Sequence, residues 1–267
     1  GTSAGGARPK AVIGINKKRD RILSGQRPLP TGFEHFLIKF DGVRERSSRY
    51  EVFGDPQGYG RIEYAYYLAA IDAGIFMMHS ELLEEGGRAH FITKRFDRIS
   101  NEKVHYQSLC AIDHADFKKA GQYSYEQIFD VMRRLTLPLA DADQMMRRMI
   151  FNVLARNHDD HTKNFGFVYQ EGQWALSPAF DIAYSYRPGS PWVERHQLTI
   201  NGKRDDFSYA DFEAALSHSS TLLGMLPKIF DEVKHSVLNL KEKMVMAGVP
   251  QKQQVALIKT FRLGIER

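Results

Sequence analysis

Between Asn157 and Asn164 the chain reads NHDDHTKN, which crowds two histidines, two aspartates, a lysine and two asparagines into one short stretch. An apolar run precedes it and an aromatic run follows, so these groups lie between segments expected to be buried. Such crowding is costly in desolvation and repulsion unless the groups hold a ligand, a metal or a developing charge. Asp159 and Asn164 have the D-x-x-x-x-N spacing of a phosphoryl-transfer loop, in which the aspartate orients the attacking hydroxyl and the asparagine holds a metal. Asp181, within SPAFDIAYS, falls where a second metal-binding carboxylate belongs.

Two further stretches fit the same chemistry. Lys39 sits in the aromatic run HFLIKF, and its ammonium needs a carboxylate or a ligand phosphate; snorkelling at a strand end is the plainer alternative. Glu63, near the start of the next helix, is the candidate partner, reproducing the lysine–glutamate bridge that positions phosphates in protein kinases. The opening GTSAGGARPK is rich in glycine, whose backbone can turn its N–H groups into a phosphate cradle. It leads into a strand and lacks the G-x-x-x-x-G-K-[ST] spacing, so a Walker-type loop is not expected, and a flexible terminus remains an alternative. Glycine loop, strand lysine, helix glutamate, Asp–Asn pair and second aspartate follow one another in kinase order.

Other readings of the central cluster stay open. His158, Asp159, Asp160 and His161 would suit a metal-dependent phosphohydrolase if His105, His114 or His218 completed the ligand set, although Lys163 would then intrude as a competing cation. A purely structural loop that caps helix ends is the other. Neither accounts for the glycine loop, Lys39 and Asp181 together.

The elements that must position these residues can be read from periodicity. AVIGIN (11–16) and FEHFLIKF (33–40) are expected strands, and 41–60 a loop rich in Gly, Pro, Asp and Ser. Residues 61–74 have helical spacing and end on Gly74, a C-terminal cap. IFMMHSELLEE and RAHFITKRFDR read as strands joined by Gly86 and Gly87. Beyond Arg98 the character changes. Residues 124–135 and 141–156 are amphipathic helices, the second with Asp141 or Asp143 as N-cap. Residues 166–185 form a hairpin turning at Gly172 and then a loop around Asp181, and helices fill most of the remainder. The expected fold is α+β and two-lobed, a protein-kinase-like arrangement with a small β-rich N-lobe (1–95) and a larger, mainly helical C-lobe (96–267).

The 267 residues suffice for two lobes with a real core. No apolar run approaches the roughly 20 residues needed to span a bilayer, and no signal peptide is visible at the start, so no membrane association is expected. A single cysteine, Cys110, excludes an internal disulfide and a multi-cysteine zinc site, and suits a reducing, cytoplasmic setting. The net charge of +5 permits an acidic partner, but the basic residues are scattered and no zinc-finger or RNP-like pattern accompanies them, which argues against direct DNA binding. The glycine-rich opening at the very start reads as that of a fragment or a trimmed chain.

NHDDHTKNFGF resembles the N-x-D-x-H-x-K-N-[FW] signature of HipA-type serine/threonine kinases, the toxins of bacterial toxin–antitoxin pairs. SAGGARPK is similar to that family's phosphate loop, LIKF to its ATP-lysine strand, KRFDR to its hinge and LSPAFDIAYS to its metal-binding segment. The resemblance implies Asp159 as catalytic aspartate, with His161 and Lys163 shaping the loop. It implies ATP and Mg²⁺ as cofactors, with Asn164 and Asp181 as magnesium ligands. Nucleotide contacts would come from Lys39, from the loop Ser3, Ala4, Gly5 and Gly6, and from backbone groups around Lys94 to Phe96. Ser3 falls on the family's autophosphorylated serine, with Thr2 beside it. Lys94 stands where an acidic residue can occur. The implied partners are a helix-turn-helix antitoxin, DNA only through that antitoxin, and a protein substrate of the aminoacyl-tRNA synthetase kind. Family members usually carry an extra N-terminal subdomain, which nothing in this chain supplies. A small-molecule phosphotransferase shares every motif, and an inactive kinase fold that bridges a DNA-bound antitoxin is the non-enzymatic alternative.

Overall fold

The computed structural model describes residues 9–42 and 58–267. Thr2, Ser3, Ala4, Gly5 and Gly6 of the expected phosphate loop, and most of the expected 41–60 loop, lie outside the described residues.

Five antiparallel strands make the small sheet: β1 (Lys10–Asn16), β2 (Ile22–Ser24), β3 (Phe33–Lys39), β4 (Ser80–Glu85) and β5 (Arg88–Lys94). Their spatial order is β2-β1-β3-β5-β4. The β4–β5 hairpin closes on Gly86 and Gly87, at φ 56° and 76°, the positive values that a tight hairpin turn needs and that glycine supplies without strain. Ile15, Phe36, Ile38 and Ile92 form this sheet's own fully buried cluster.

Helix α1 (Tyr59–Asp72) lies between β3 and β4 in the chain and ends with Gly74 at φ 73°. It packs on β4 and β5, yet its buried face, Ile62, Ala65, Tyr66, Ala69 and Ala70, belongs to the main core of the helical lobe. Tyr66 donates to the Ala155 carbonyl at 2.5 Å, and Ser236 donates to the Ala69 carbonyl at 2.6 Å.

Past the hinge come the short pair β6 (Arg98–Ile99) and β7 (Glu102–Lys103), then β8 (His105–Ser108), the short helix α2 (Leu109–Ile112), α3 (Tyr125–Arg134) and α4 (Leu139–Leu154). Strands β9 (Gly166–Gln170) and β10 (Gln173–Leu176) form the expected hairpin, and β8 joins it as a third strand. Helices α5 (Tyr209–Leu216), α6 (Ser220–Leu238), α7 (Leu240–Met246) and α8 (Gln251–Ile258) complete the lobe. Helix α3 starts with a capping box in which Ser124 and Gln127 satisfy each other's backbone N–H.

One helix start differs from expectation. Helix α4 begins at Leu139 with Pro138 at the N-cap, so Asp141 sits in the first turn and Asp143 beyond it, and neither caps the helix. The Asp141 carboxylate instead accepts the Leu176 N–H at 2.9 Å, fastening the end of β10 to the helix. Among the described residues no helix is long and apolar enough to cross a membrane. The molecule is a two-lobed, kinase-like α+β fold.

Candidate active site

Strand β3 delivers Lys39 to the sheet face nearest α1. Lys39 is buried and its ammonium donates to both Glu63 and Asp181. Burial by itself opposes a charged lysine, but Asp181 and Glu63 outweigh it and hold the ammonium above its ordinary pKa. Burial likewise pushes Asp181 up, yet Lys39 and then Lys10 bring its pKa down to about 2, so it stays ionised. The lysine–glutamate bridge is therefore present, and the second aspartate is attached to it.

Glu63 is held in place by its helix. Asp41, two residues past Lys39 and 2% exposed, accepts the N–H of Gly58 and of Tyr59, both at 3.0 Å. This carboxylate caps the N-terminus of α1 from a position 17 residues before Gly58 in the chain, where it also meets the positive end of the helix dipole. Gly60 approaches β5 so closely that a Cβ there would lie 2.0 Å from the Ala89 carbonyl oxygen.

A cavity of about 250 Å³ opens beside this ion cluster. Its polar wall includes Lys10, Lys39, Glu63 and Asp181, and its apolar wall includes Val12, Leu37 and Phe180. Lys94 and Phe96 reach it from the hinge. Phe96 stacks on Phe180 with ring centroids 5.8 Å apart and meets Tyr106 edge-on at 5.4 Å. The Lys94 N–H donates to His79 and the Arg95 N–H to His35, both at 2.9 Å. Those two donors serve the sheet, so a purine edge would be met by other hinge backbone groups. The Lys94 ammonium turns away to Glu34 at 2.5 Å.

Asp159, His161, Lys163 and Asn164 do not line this cavity. They share the loop between α4 and β9, and His161 is near enough to Asp181 to favour that residue's charge. Asn164 donates through Nδ2 to the Asp159 carbonyl at 2.7 Å, which fixes the loop and orients the amide. The Asp159 side chain is 47% exposed, with His161 Nε2 at 3.7 Å from its carboxylate. Lys163 lays its ammonium 3.4 Å from the centroid of the Phe117 ring. Asp181 adopts φ 54°, a left-handed conformation that aspartate tolerates better than most side chains. A parallel bridge between Met77 and Ala179 holds the segment leading to it.

The donor chemistry fits a nucleotide with a hard divalent cation. Asp181 and Asn164 offer oxygens, and Lys39 and Lys10 offer cations for phosphate. Among the described residues no group of three or more His, Cys, Asp or Glu is arranged to hold a metal. His158 is buried against His196, with ring centroids 4.1 Å apart, and does not stand with His161 in one ligand set. The geometry thus does not assemble the phosphohydrolase ligands.

Four contributors were not legible beforehand. Lys10 looked like the tail of the glycine-rich stretch, and only the β1–β3 register brings it to Lys39. Asp41 stood in what read as a polar loop. Tyr106 and Phe180 carry no motif of their own, although an aromatic residue just before Asp181 was a usable signal.

The profile of the HipA-like C-terminal domain matches residues 2–243. A chain of the Shewanella oneidensis MR-1 toxin–antitoxin complex of HipA, HipB and operator DNA superposes with a TM-score of 0.68, covering 96% of this chain and 62% of that one. At 16% identity that likeness is one of fold. Two curated relatives from Sinorhizobium fredii NGR234 are similar over shorter stretches. "Putative kinase Y4mE" is 24% identical over 106 residues, 36% of this chain and 25% of that protein. "Putative kinase Y4dM" is 33% identical over 95 residues, 33% of this chain and 22% of that protein. The matches thus span a quarter or less of these curated relatives and under two thirds of the structural one.

Proposed function

The chain belongs to the family of HipA-like C-terminal domains, and from that premise we propose that it is an ATP- and Mg²⁺-dependent serine/threonine protein kinase, the catalytic part of a HipA-like toxin. The observation that carries the proposal is Lys39 held between Glu63 and Asp181 at the wall of the hinge cavity. In this reading Lys39 and Lys10 neutralise phosphate oxygens, the hinge around Phe96 receives the base, and Asp181 and Asn164 hold the magnesium. The bound Mg·ATP supplies the transferable phosphoryl group and the charge neutralisation its departure requires. Asp159, half exposed, orients the acceptor hydroxyl and takes up its proton. His161 and Lys163 set the shape of the loop.

A helix-turn-helix antitoxin is the proposed partner, in keeping with the structural relative's assembly with HipB and operator DNA. A translation-related protein such as an aminoacyl-tRNA synthetase is the proposed substrate. Ser3, or Thr2 beside it, is proposed as an autophosphorylated off-switch, since a phosphate there adds about −1.5 to −2 charges beside the nucleotide phosphates.

Incubation with γ-labelled ATP, Mg²⁺ and a bacterial lysate tests the reading. Label should enter a protein band, and Asp159→Asn should abolish it. Label in small molecules alone would replace the protein kinase with a small-molecule phosphotransferase. No transfer at all would overturn the enzymatic reading.

A further inference from the structure

Asp159 and Asp160 are consecutive and face opposite ways. The Asp159 side chain is about half exposed, whereas Asp160 is 1% exposed and points into the helical lobe. A carboxylate buried so completely must be fully hydrogen-bonded, because an unsatisfied one would cost far more than a fold's margin allows. Asp160 meets that condition with four donors. One oxygen accepts the backbone N–H of Gln197 at 2.7 Å and of Leu198 at 3.4 Å. The other accepts the His196 ring Nδ1–H at 2.8 Å and the Tyr125 hydroxyl at 3.0 Å.

Three of these donors belong to one stretch, 196–198. It lies in the long segment that runs from Asp181 to α5 without regular secondary structure of its own. The same segment is tied down elsewhere. Ser185 donates its N–H to the Arg156 carbonyl at 3.1 Å, and Thr199 donates its N–H to the Tyr123 carbonyl at 3.0 Å. In protein kinases the stretch following the metal-binding aspartate supports the acceptor, and phosphorylation commonly orders it by creating an arginine–phosphate pair. Here a carboxylate next door to Asp159 bonds the same stretch directly, with no added charge.

We propose that Asp160 is a positioning residue, which fixes the acceptor-side segment 196–198 to the loop of Asp159 and so makes it ready without modification. This rests on the kinase reading above for its catalytic consequence, but not for its structural one. Asp160→Asn is the informative variant, because an amide nitrogen must then confront one of the two donor pairs.

The test has two arms on the full chain. In the first, amide hydrogen exchange is followed at Gln197, Leu198 and Thr199. Asp160→Asn should speed exchange at Gln197 and Leu198 at least tenfold while Thr199, held by Tyr123, changes less than threefold. In the second, with dephosphorylated casein as acceptor probe, KM for casein should rise at least tenfold while the affinity for Mg·ATP stays within threefold. Unchanged exchange at Gln197 and Leu198 would overturn the proposal, as would equal acceleration at all three amides or a parallel loss of nucleotide affinity, which are the marks of general loosening. If the unmodified chain transfers nothing to casein or to any protein of a bacterial lysate, the kinase reading is what has failed, and the exchange arm alone decides the link. Should Asp160→Asn not fold, His196→Phe removes one donor and leaves the carboxylate. Exchange at Gln197 and Leu198 should then rise at least threefold, and no rise would refute the link.

Discussion

Lys10 and Lys39 are direct cross-strand partners in the β1–β3 ladder, two cations side by side at the wall of the hinge cavity. Like charges in that relation repel. What makes it tolerable is the pair of carboxylates that face them, Glu63 on α1 and Asp181 beyond β10, both bound to Lys39. The site is thus a balanced four-charge cluster, and changing one member exposes the others.

Lys39→Met should destabilise the fold by about 3–5 kcal/mol, the usual cost of leaving a buried carboxylate without its cation. Adding Glu63→Leu should restore much of the thermal midpoint without restoring Mg·ATP binding. Scanning calorimetry reads the stability of both variants and titration calorimetry reads the binding. Full binding by the double variant would remove Lys39 from the nucleotide site.

Asp159→Asn and Asp181→Asn should fail differently. The first should leave Mg·ATP affinity within about threefold and lower phosphoryl transfer by roughly a thousandfold or more, because its role is confined to the transition state. The second should weaken Mg²⁺-dependent nucleotide binding itself, because it withdraws a hard oxygen ligand. Titrations with and without Mg²⁺, beside a turnover assay, separate the two; identical defects would mean that the roles are misassigned.

Asp41→Ala should loosen the start of α1 and cost about 1–2 kcal/mol, the upper range for losing a helix cap. The effect on nucleotide affinity should exceed that of an exposed-site control such as Asp130→Ala, since the helix that loosens carries Glu63. Equal affinities in the two variants would show that α1 is held by its packing alone.

Acid should destabilise the chain through His158 before its carboxylates titrate. Burial first, and then His196, lower the His158 pKa to about 3. In the unfolded chain the ring takes up a proton below about pH 6.5. Between those values the unfolded state binds more protons, so stability falls as pH is lowered through the window, by at most about 1.4 kcal/mol per pH unit. From pH 6.5 to 5 ordinary carboxylates contribute little. A thermal-midpoint series over that range should be steeper for the parent than for His158→Phe, and equal slopes would exclude the histidine.

Much of this architecture was readable because local chemistry and global fold agree. The aromatic alternation of β3, the Gly86–Gly87 turn and the Ser124–Gln127 capping box each specify their own geometry. The Lys39–Glu63 bridge was legible for another reason, since a lysine amid aromatic residues must find a carboxylate. What stayed hidden depends on register or on distance. Lys10 reaches the site only through strand pairing, and Asp41 caps a helix whose N-cap residue, Gly58, lies 17 residues further along the chain. Asp160 spends two of its four hydrogen bonds on backbone groups more than thirty residues away, for which no side-chain pattern exists. Asp141 misled for a related reason: a good capping residue near a helix start was used instead to hold β10.

The placement of α1 bears on how the molecule melts. Its apolar face completes the core of the helical lobe, while the hydrophobic cluster that belongs to the five-stranded sheet itself has, among the described residues, just four buried members, Ile15, Phe36, Ile38 and Ile92. The lobes are therefore unequal partners in a single cooperative transition: the sheet cannot be cut away with its helix without baring Tyr66 and its alanine neighbours, nor without its helix keep a core large enough to stand alone. The change of character near the hinge marks where strands give way to helices. Cooperativity does not divide there.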